Sequence, residues 1–306
     1  MAYRSVFLTV LLAAPGLLAE GGGISGPVAG MVFLRDEGAL RPMLGVPGSA
    51  WLGDPLAVGL EAAAVSPDGR WAAVVREGRV LRMKLNGFQA PEAAGIGAAP
   101  EGADRVVWNA ESTIVAVLST TTGRARLWRD FEASGECVLP GAILAAAVDA
   151  TGALAAGVAG EGLFLCREGS ARLVSRNPKI SALVLSGRDL YLADNALGQV
   201  MVIRHYSNEG DATVIASVED PVGLAISAAG DKLAVASAAA KALKVIDLKF
   251  PSAPATVDLD FTPTGAQRFA GSALWWLNPD AQGPVQLLHF ANDAAVYFVP
   301  AVKGEQ

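Results

Sequence analysis

The chain has 306 residues, 52% of them hydrophobic and 18% charged, with 24 Lys and Arg against 30 Asp and Glu and a formal net charge of −6. That apolar content can fill a large core and excludes a largely disordered chain. The acidic balance excludes a general nucleic-acid binder, which needs a basic face to displace counterions from phosphates, and two cysteines are too few for a four-thiolate zinc centre.

In chain order, the first segment reads as an address. Arg4 precedes an apolar stretch over residues 6–18, which Thr9 and Pro15 interrupt, and the small residue Ala19 stands before polar Glu20 and three glycines. The stretch is shorter than the roughly 20 residues that span a bilayer. This order predicts a secretory signal over residues 1–19 and a glycine-rich linker over 20–30, so that the mature chain is exported, periplasmic or extracellular. An uncleaved anchor is the competing reading. No later segment reads as a membrane span. Residues 31–300 are expected to form one domain, with a short tail at 301–306. Residues 31–36 and 40–44 flank a tight Glu37-Gly38 turn and predict a hairpin. The connection that follows, residues 45–54, carries Trp51, a candidate for contact with a partner.

From residue 62 onward one internal order repeats: a short apolar run, a tight turn, a second apolar run, a gap, and a third run with alternation. The clearest copy spans 62–85 around the turn Ser66-Pro67-Asp68-Gly69, where proline pre-sets φ and glycine accepts a positive one. Further copies span 106–129, 145–166, 180–204, 222–248 and 267–289. Their turn markers, Gly69, Ser112, Gly152, Gly187, Gly230 and Gly271, stand 35 to 43 residues apart. A fourth, less regular run follows, as at 212–216, 255–259 and 295–299. Four short strands about every 40 residues predict an all-β chain, a β-propeller of four-stranded antiparallel blades. Six units fit between residues 56 and 300. The 31–44 hairpin resembles the outer half of a blade, and no inner half is left at the C-terminus to complete it. Six blades are therefore favoured, with seven the alternative.

The run 222–237, ending in Lys244-Val245-Ile246-Asp247-Leu248, resembles a repeat of the YVTN-type β-propellers. The Ser66-Pro67-Asp68-Gly69 turn is similar to those of WD40-like and TolB-like propellers. Tyr-Val-Thr-Asn itself is absent, and Leu190-Tyr191-Leu192-Ala193-Asp194 comes nearest. The resemblance covers about residues 56–300 and speaks to architecture, because these turns stabilise blades and carry no chemistry.

Searches for catalytic motifs return little. Gly21-x-Gly23-x-x-Gly26 matches a dinucleotide fingerprint only as a string, since it joins no strand to a helix. His205 and His289, the two histidines, fall at the ends of third strands and read as structural. The resemblance implies a ligand face where the loops between strands two and three meet the blade connectors. That face is expected to carry Glu61, Asp194, Asn195, Glu219, Asp220, Asn278 and Asp280, with Asp68 at the opposite end. Such oxygen ligands suit Ca²⁺ or Mg²⁺, and a bound metal would polarise a lactone carbonyl. Gluconolactonase-like propellers imply a similar set around an axial metal; solvated loop residues are the plainer reading. Trp71, Trp108, Trp128, Trp275 and Trp276 are expected to pack between blades. Cys137 and Cys166 either form a disulfide, worth about 3 kcal/mol for a loop of this length, or are small buried hydrophobes. The function expected is a non-enzymatic binding or scaffold module for a protein or glycan partner. The alternative is a metal-assisted hydrolase of the lactonase type. A quinone-dependent dehydrogenase would want more Arg, His and Trp at the channel mouth.

Overall fold

The computed structural model describes residues 28–300 apart from 47, 87–90, 178, 208–210, 251–253, 272 and 280–282. The expected signal segment, most of the linker, the tail and Asp280 lie outside the described residues. No helix among those described is long and apolar enough to cross a membrane.

Seven antiparallel sheets follow one another along the chain, each a meander of consecutive strands. Blade 1 holds β1 (Val28–Leu34), β2 (Ala39–Val46) and β3 (Ser49–Leu52). Blade 2 holds β4 (Ala62–Val65), β5 (Trp71–Arg76), β6 (Arg79–Lys84) and β7 (Ala93–Ala98). Blade 3 holds β8 (Arg105–Trp108), β9 (Ile114–Ser119), β10 (Arg124–Arg129) and β11 (Glu132–Val138). Blade 4 holds β12 (Ile143–Val148), β13 (Leu154–Val158), β14 (Gly162–Arg167) and β15 (Ser170–Ser175). Blade 5 holds β16 (Ile180–Ser186), β17 (Asp189–Asp194), β18 (Gln199–Ile203) and β19 (Ala212–Ser217). Blade 6 holds β20 (Pro221–Ile226), β21 (Lys232–Ser237), β22 (Ala242–Asp247) and β23 (Ala255–Asp258). Blade 7 holds β24 (Gln267–Ala270), β25 (Leu274–Trp276), β26 (Val285–Phe290) and β27 (Ala294–Val299).

The first strand of every sheet lies against the first strands of both neighbours, in the order β1, β4, β8, β12, β16, β20, β24 and back to β1. The fold is therefore a seven-bladed propeller, and the expectation of six blades is corrected. The 31–44 hairpin is the inner half of blade 1, not an outer half. β1 fills the place at the axis between β24 and β4, so no C-terminal strand is needed to complete it. The stretch 45–54, read as a connection, supplies β3, and Trp51 stands on that strand opposite Leu44, half-buried.

Burial explains the composition of each strand position. Second strands are covered on both faces by neighbouring blades and read as unbroken apolar runs; every residue of β9 and β13 is buried. Fourth strands form the rim, and β11 is exposed at every residue except Cys137. Inner strands alternate: in β12, half-buried Leu144 and Ala146 face away from buried Ala145 and Ala147.

The turns from strand one to strand two are built by side chains. Ser66 Oγ accepts the Trp71 N–H at 3.0 Å, Asn109 Oδ1 the Ile114 N–H at 2.8 Å, Asp149 Oδ1 the Ala153 N–H at 2.8 Å, and Ser227 Oγ the Lys232 N–H at 3.0 Å. Each satisfies a backbone donor that the sheet ladder leaves over.

The seams between blades form the core. At the closing seam, Val32, Met43, Ala50 and Leu52 of blade 1 pack on Phe269, Trp276, Val285, Leu287 and Val299 of blade 7. Gly30 permits this approach, because a Cβ there would lie 2.4 Å from the buried Phe269 ring. At the seam of blades 3 and 4, Cys137 on β11 and Cys166 on β14 are joined in a disulfide, with Cα atoms 6.3 Å apart.

Candidate functional site

The residues nominated on the connector face are engaged mainly in building their own loops. Glu61 is exposed, and its Oε1 accepts the Gly78 N–H at 3.3 Å. Asp194 is fully buried; Oδ1 accepts the Ala196 and Leu197 N–H groups at 2.9 and 3.0 Å, and Oδ2 has no partner among the described residues. Asn278 is buried in blade 7, where its Oδ1 accepts the Trp276 Nε1–H and the Gln286 N–H at 2.8 and 2.9 Å. Its Nδ2 donates to the Pro284 carbonyl at 2.8 Å. Among the described residues the one pair of these that meets is Asn195 and Asp220: the Asn195 amide donates to the Asp220 carboxylate across the connector from blade 5 to blade 6. Glu219 is exposed and contributes its backbone carbonyl to Ser237 Oγ at 2.6 Å. Among the described residues, no group of three or more His, Cys, Asp and Glu side chains is disposed to hold a metal ion. His205 sits in the turn after β18 with φ of 50°, and His289 lies half-buried on β26 opposite Leu274 and Ala295.

The central channel is a cavity of about 450 Å³ walled by the inner strands. Half-buried Phe33, Val65, Val107, Ala146 and Leu183, one from each of five consecutive blades, line it. Its end at the strand one–two turns carries Arg35, Glu111, Asp149 and Arg268. Asp149 is held by the Tyr206 hydroxyl, which donates to Oδ2, and by Thr151, whose hydroxyl and N–H donate to Oδ1 at 2.7 and 2.9 Å. Burial works against its charged form, but these hydrogen bonds outweigh it and hold its pKa below the ordinary aspartate value. Burial, reinforced by the neighbouring Asp149, raises the Tyr206 phenol above the usual tyrosine range.

Arg268 is less well served. Nη1 donates to the Gly271 carbonyl at 3.2 Å, and the guanidinium lies 4.5 Å over the ring of Trp275, its partner in the β24–β25 register. Burial lowers its pKa from the ordinary arginine value, and Glu111 opposes that shift. Above it the Gly271 N–H reaches past blade 1 to the Pro67 carbonyl of blade 2 at 2.7 Å. That bond braces the mouth.

On the same end, a crevice of about 240 Å³ opens between blades 2 and 3. Its walls are half-buried Trp71, Trp108 and Phe131 and buried Trp128, and its rim carries Asp68, Arg70, Glu111 and Asp130. The Phe131 ring lies 4.9 Å from Trp71 and 6.0 Å from Trp108, with the Arg82 guanidinium 5.3 Å from its centroid. Phe131 holds a left-handed backbone with φ of 68°, following Asp130 at 48°. The turns Glu77-Gly78 and Glu168-Gly169 place their second residues in the same region, at 66° and 80°, and both are glycine. Each turn follows an arginine: Arg76, Arg129 and Arg167. Phenylalanine stands where the other two turns have glycine, at a backbone cost of about 1–2 kcal/mol. Sequence reasoning missed Phe131 and Arg268. The pattern Arg-acid-Gly, broken by Phe131, is the signal that points to the first.

No protein-family model matches the chain, and no curated protein matches it. Among solved structures it is similar to virginiamycin B lyase from Staphylococcus aureus, at 13% identity over 81% of this chain and 85% of that one with a TM-score of 0.59. It is similar to the WD40 repeats of RRP9 at 12% identity, covering 80% and 81%, with a TM-score of 0.57. Hydrazine synthase from Kuenenia stuttgartiensis matches at 13% identity over 91% and 98%, with a TM-score of 0.56. These likenesses establish the propeller architecture, shared by a lyase, a synthase and a WD40 protein. They assign no activity to this chain.

Proposed function

We propose that the chain is an exported, non-enzymatic binding module for a protein or glycan partner, and that a glycan is the partner its blade 2–3 crevice suits. The observation that carries this reading is Phe131, kept at a costly backbone conformation with its ring against Trp71 and Trp108. Strain of this kind persists where the surrounding structure over-determines it, and it clusters at ligand sites. Sugars present an apolar C–H face that stacks on aromatic rings and hydroxyls that bond to carboxylates and guanidinium groups; the rim residues Asp130 and Arg70 supply both kinds. The disulfide supports export, since such bonds persist in oxidising compartments.

The test is a screen of immobilised glycans, followed by titration of the best sugar against tryptophan fluorescence. Phe131→Gly is the informative variant, because glycine accepts φ of 68° and the turn is retained. A glycan that binds wild type and binds Phe131→Gly at least tenfold more weakly is the expected result. Equal binding by both proteins, or no binding to wild type at millimolar sugar, overturns the glycan reading.

A second reading, metal-assisted hydrolysis of the lactonase type, draws on one observation: Asn195 and Asp220 meet beside Asp194, whose buried Oδ2 has no partner among the described residues. Ca²⁺ or Mg²⁺ added to chelator-treated protein at 100 times its dissociation constant would stabilise the fold by about 2.7 kcal/mol. A flat thermal response to both ions removes this reading.

A further inference from the structure

We infer that the central channel binds an amphiphilic monocarboxylate, with its carboxylate at Arg268 and its apolar body in the lumen. This site adjoins the blade 2–3 crevice at Trp108 and Glu111 but is centred on the channel, and it does not rest on the glycan reading.

The first ground is an unbalanced cation. Arg268 carries five guanidinium N–H donors, and one hydrogen bond, to the Gly271 carbonyl, is made among the described residues. No carboxylate there forms an ion pair with it; Glu111 acts on it electrostatically while engaged with Asn109 Nδ2 at 3.0 Å. Beside it, the Trp275 Nε1–H is buried with no acceptor among the described residues. The buried indole donor lacks an acceptor where unmet polar groups are costly, and the half-buried guanidinium stacked on it keeps donors open to the channel. The register that pairs Arg268 with Trp275 sets the guanidinium over the indole, so the cation is held in place before any ligand arrives.

The second ground is the shape and chemistry of the space. A cavity of about 450 Å³ falls in the range of small-molecule sites. Phe33, Val65, Val107, Ala146 and Leu183 contribute apolar side chains from five consecutive blades to its wall, which an alkyl chain matches and an inorganic ion does not. The planar guanidinium fork fits a carboxylate in two parallel hydrogen bonds. Arg35 and Arg268 face Glu111 and Asp149 at this mouth, so each negative charge on a ligand also meets carboxylates, and one carboxylate is favoured over two.

The experiment is calorimetric titration of the whole chain with decanoate, and with decan-1-ol as the uncharged control. Saturable decanoate binding is expected, with decan-1-ol at least tenfold weaker. Arg268→Gln should weaken decanoate at least tenfold and leave decan-1-ol unchanged. Leu183→Trp, which fills the lumen from blade 5 and does not touch the arginine, should weaken both. The second variant decides the matter where Arg268→Gln fails to fold. Equal affinity for acid and alcohol, undiminished decanoate binding by either folded variant, or no decanoate binding at 1 mM overturns the inference. Phe131→Gly should bind decanoate as wild type does, so failure here and failure of the glycan reading are told apart.

Discussion

The two ends of the propeller use polar residues in opposite ways. On the connector face Asn278 meets three partners in its own loop, and Asn195 and Asp220 meet each other. At the turn end, Arg268 lies on the channel with one hydrogen bond, and Phe131 occupies a glycine's place beside an open crevice. The difference teaches that a polar residue at a propeller mouth is informative when its partners are missing. Asp149 lies between the cases, a channel carboxylate that is fully engaged in building its turn.

Three substitutions would break or sharpen this contrast. The largest effect is expected at Asn278. Asn278→Ala leaves the Trp276 indole N–H, the Gln286 N–H and the Pro284 carbonyl without their partner, and should cost about 3 kcal/mol in urea unfolding. A loss under about 1 kcal/mol would mean that this loop does not depend on its asparagine. Asp149→Asn comes next, at about 1–2 kcal/mol near neutral pH, because a hydrogen-bonded charge is replaced by a neutral amide. Its signature is the pH dependence. A carboxylate whose folded pKa is depressed contributes stability above its unfolded value, 3.8, and loses it as pH falls through the folded pKa. Wild type and variant should therefore converge in acid, and a constant gap down to pH 2 would contradict the assigned hydrogen bonds. Glu61→Ala should be smallest, within about 0.5 kcal/mol by thermal melting, since an exposed carboxylate with one long hydrogen bond contributes little.

Much of this fold was legible in the sequence. The six turn markers from Gly69 to Gly271 all adopt positive φ, as turn chemistry demands. Gly38 does the same at 56°, and it marks blade 1, the blade beyond the six expected. The hairpin around it reads from sequence as a rim half, because β3 has only four residues and hides in a stretch with Pro47 and Gly48. The site was far less legible. Residue type identifies oxygen ligands but not whether a turn already uses them, so Glu61, Asp194 and Asn278 resembled a ligand set. Arg268 could not be found that way, since its distinction is a lack of partners across blades far apart in sequence. Phe131 was within reach: comparing the three turns in which an arginine ends a strand and an acid follows, at 76–78, 129–131 and 167–169, exposes it.

The closing seam has one further consequence. Six of the seven joints between blades are crossed by the polypeptide itself, and the joint of blades 3 and 4 is also riveted by Cys137 and Cys166. Among the described residues the joint of blades 7 and 1 is crossed by neither, and side-chain packing around Phe269 closes it, with the Gly271–Pro67 bond bracing the mouth beside it. A ring under thermal or mechanical load parts first at its weakest link. Hydrogen exchange should therefore reach β1 and β27 before β11 and β14, giving a symmetric shape an unzipping order with a defined beginning.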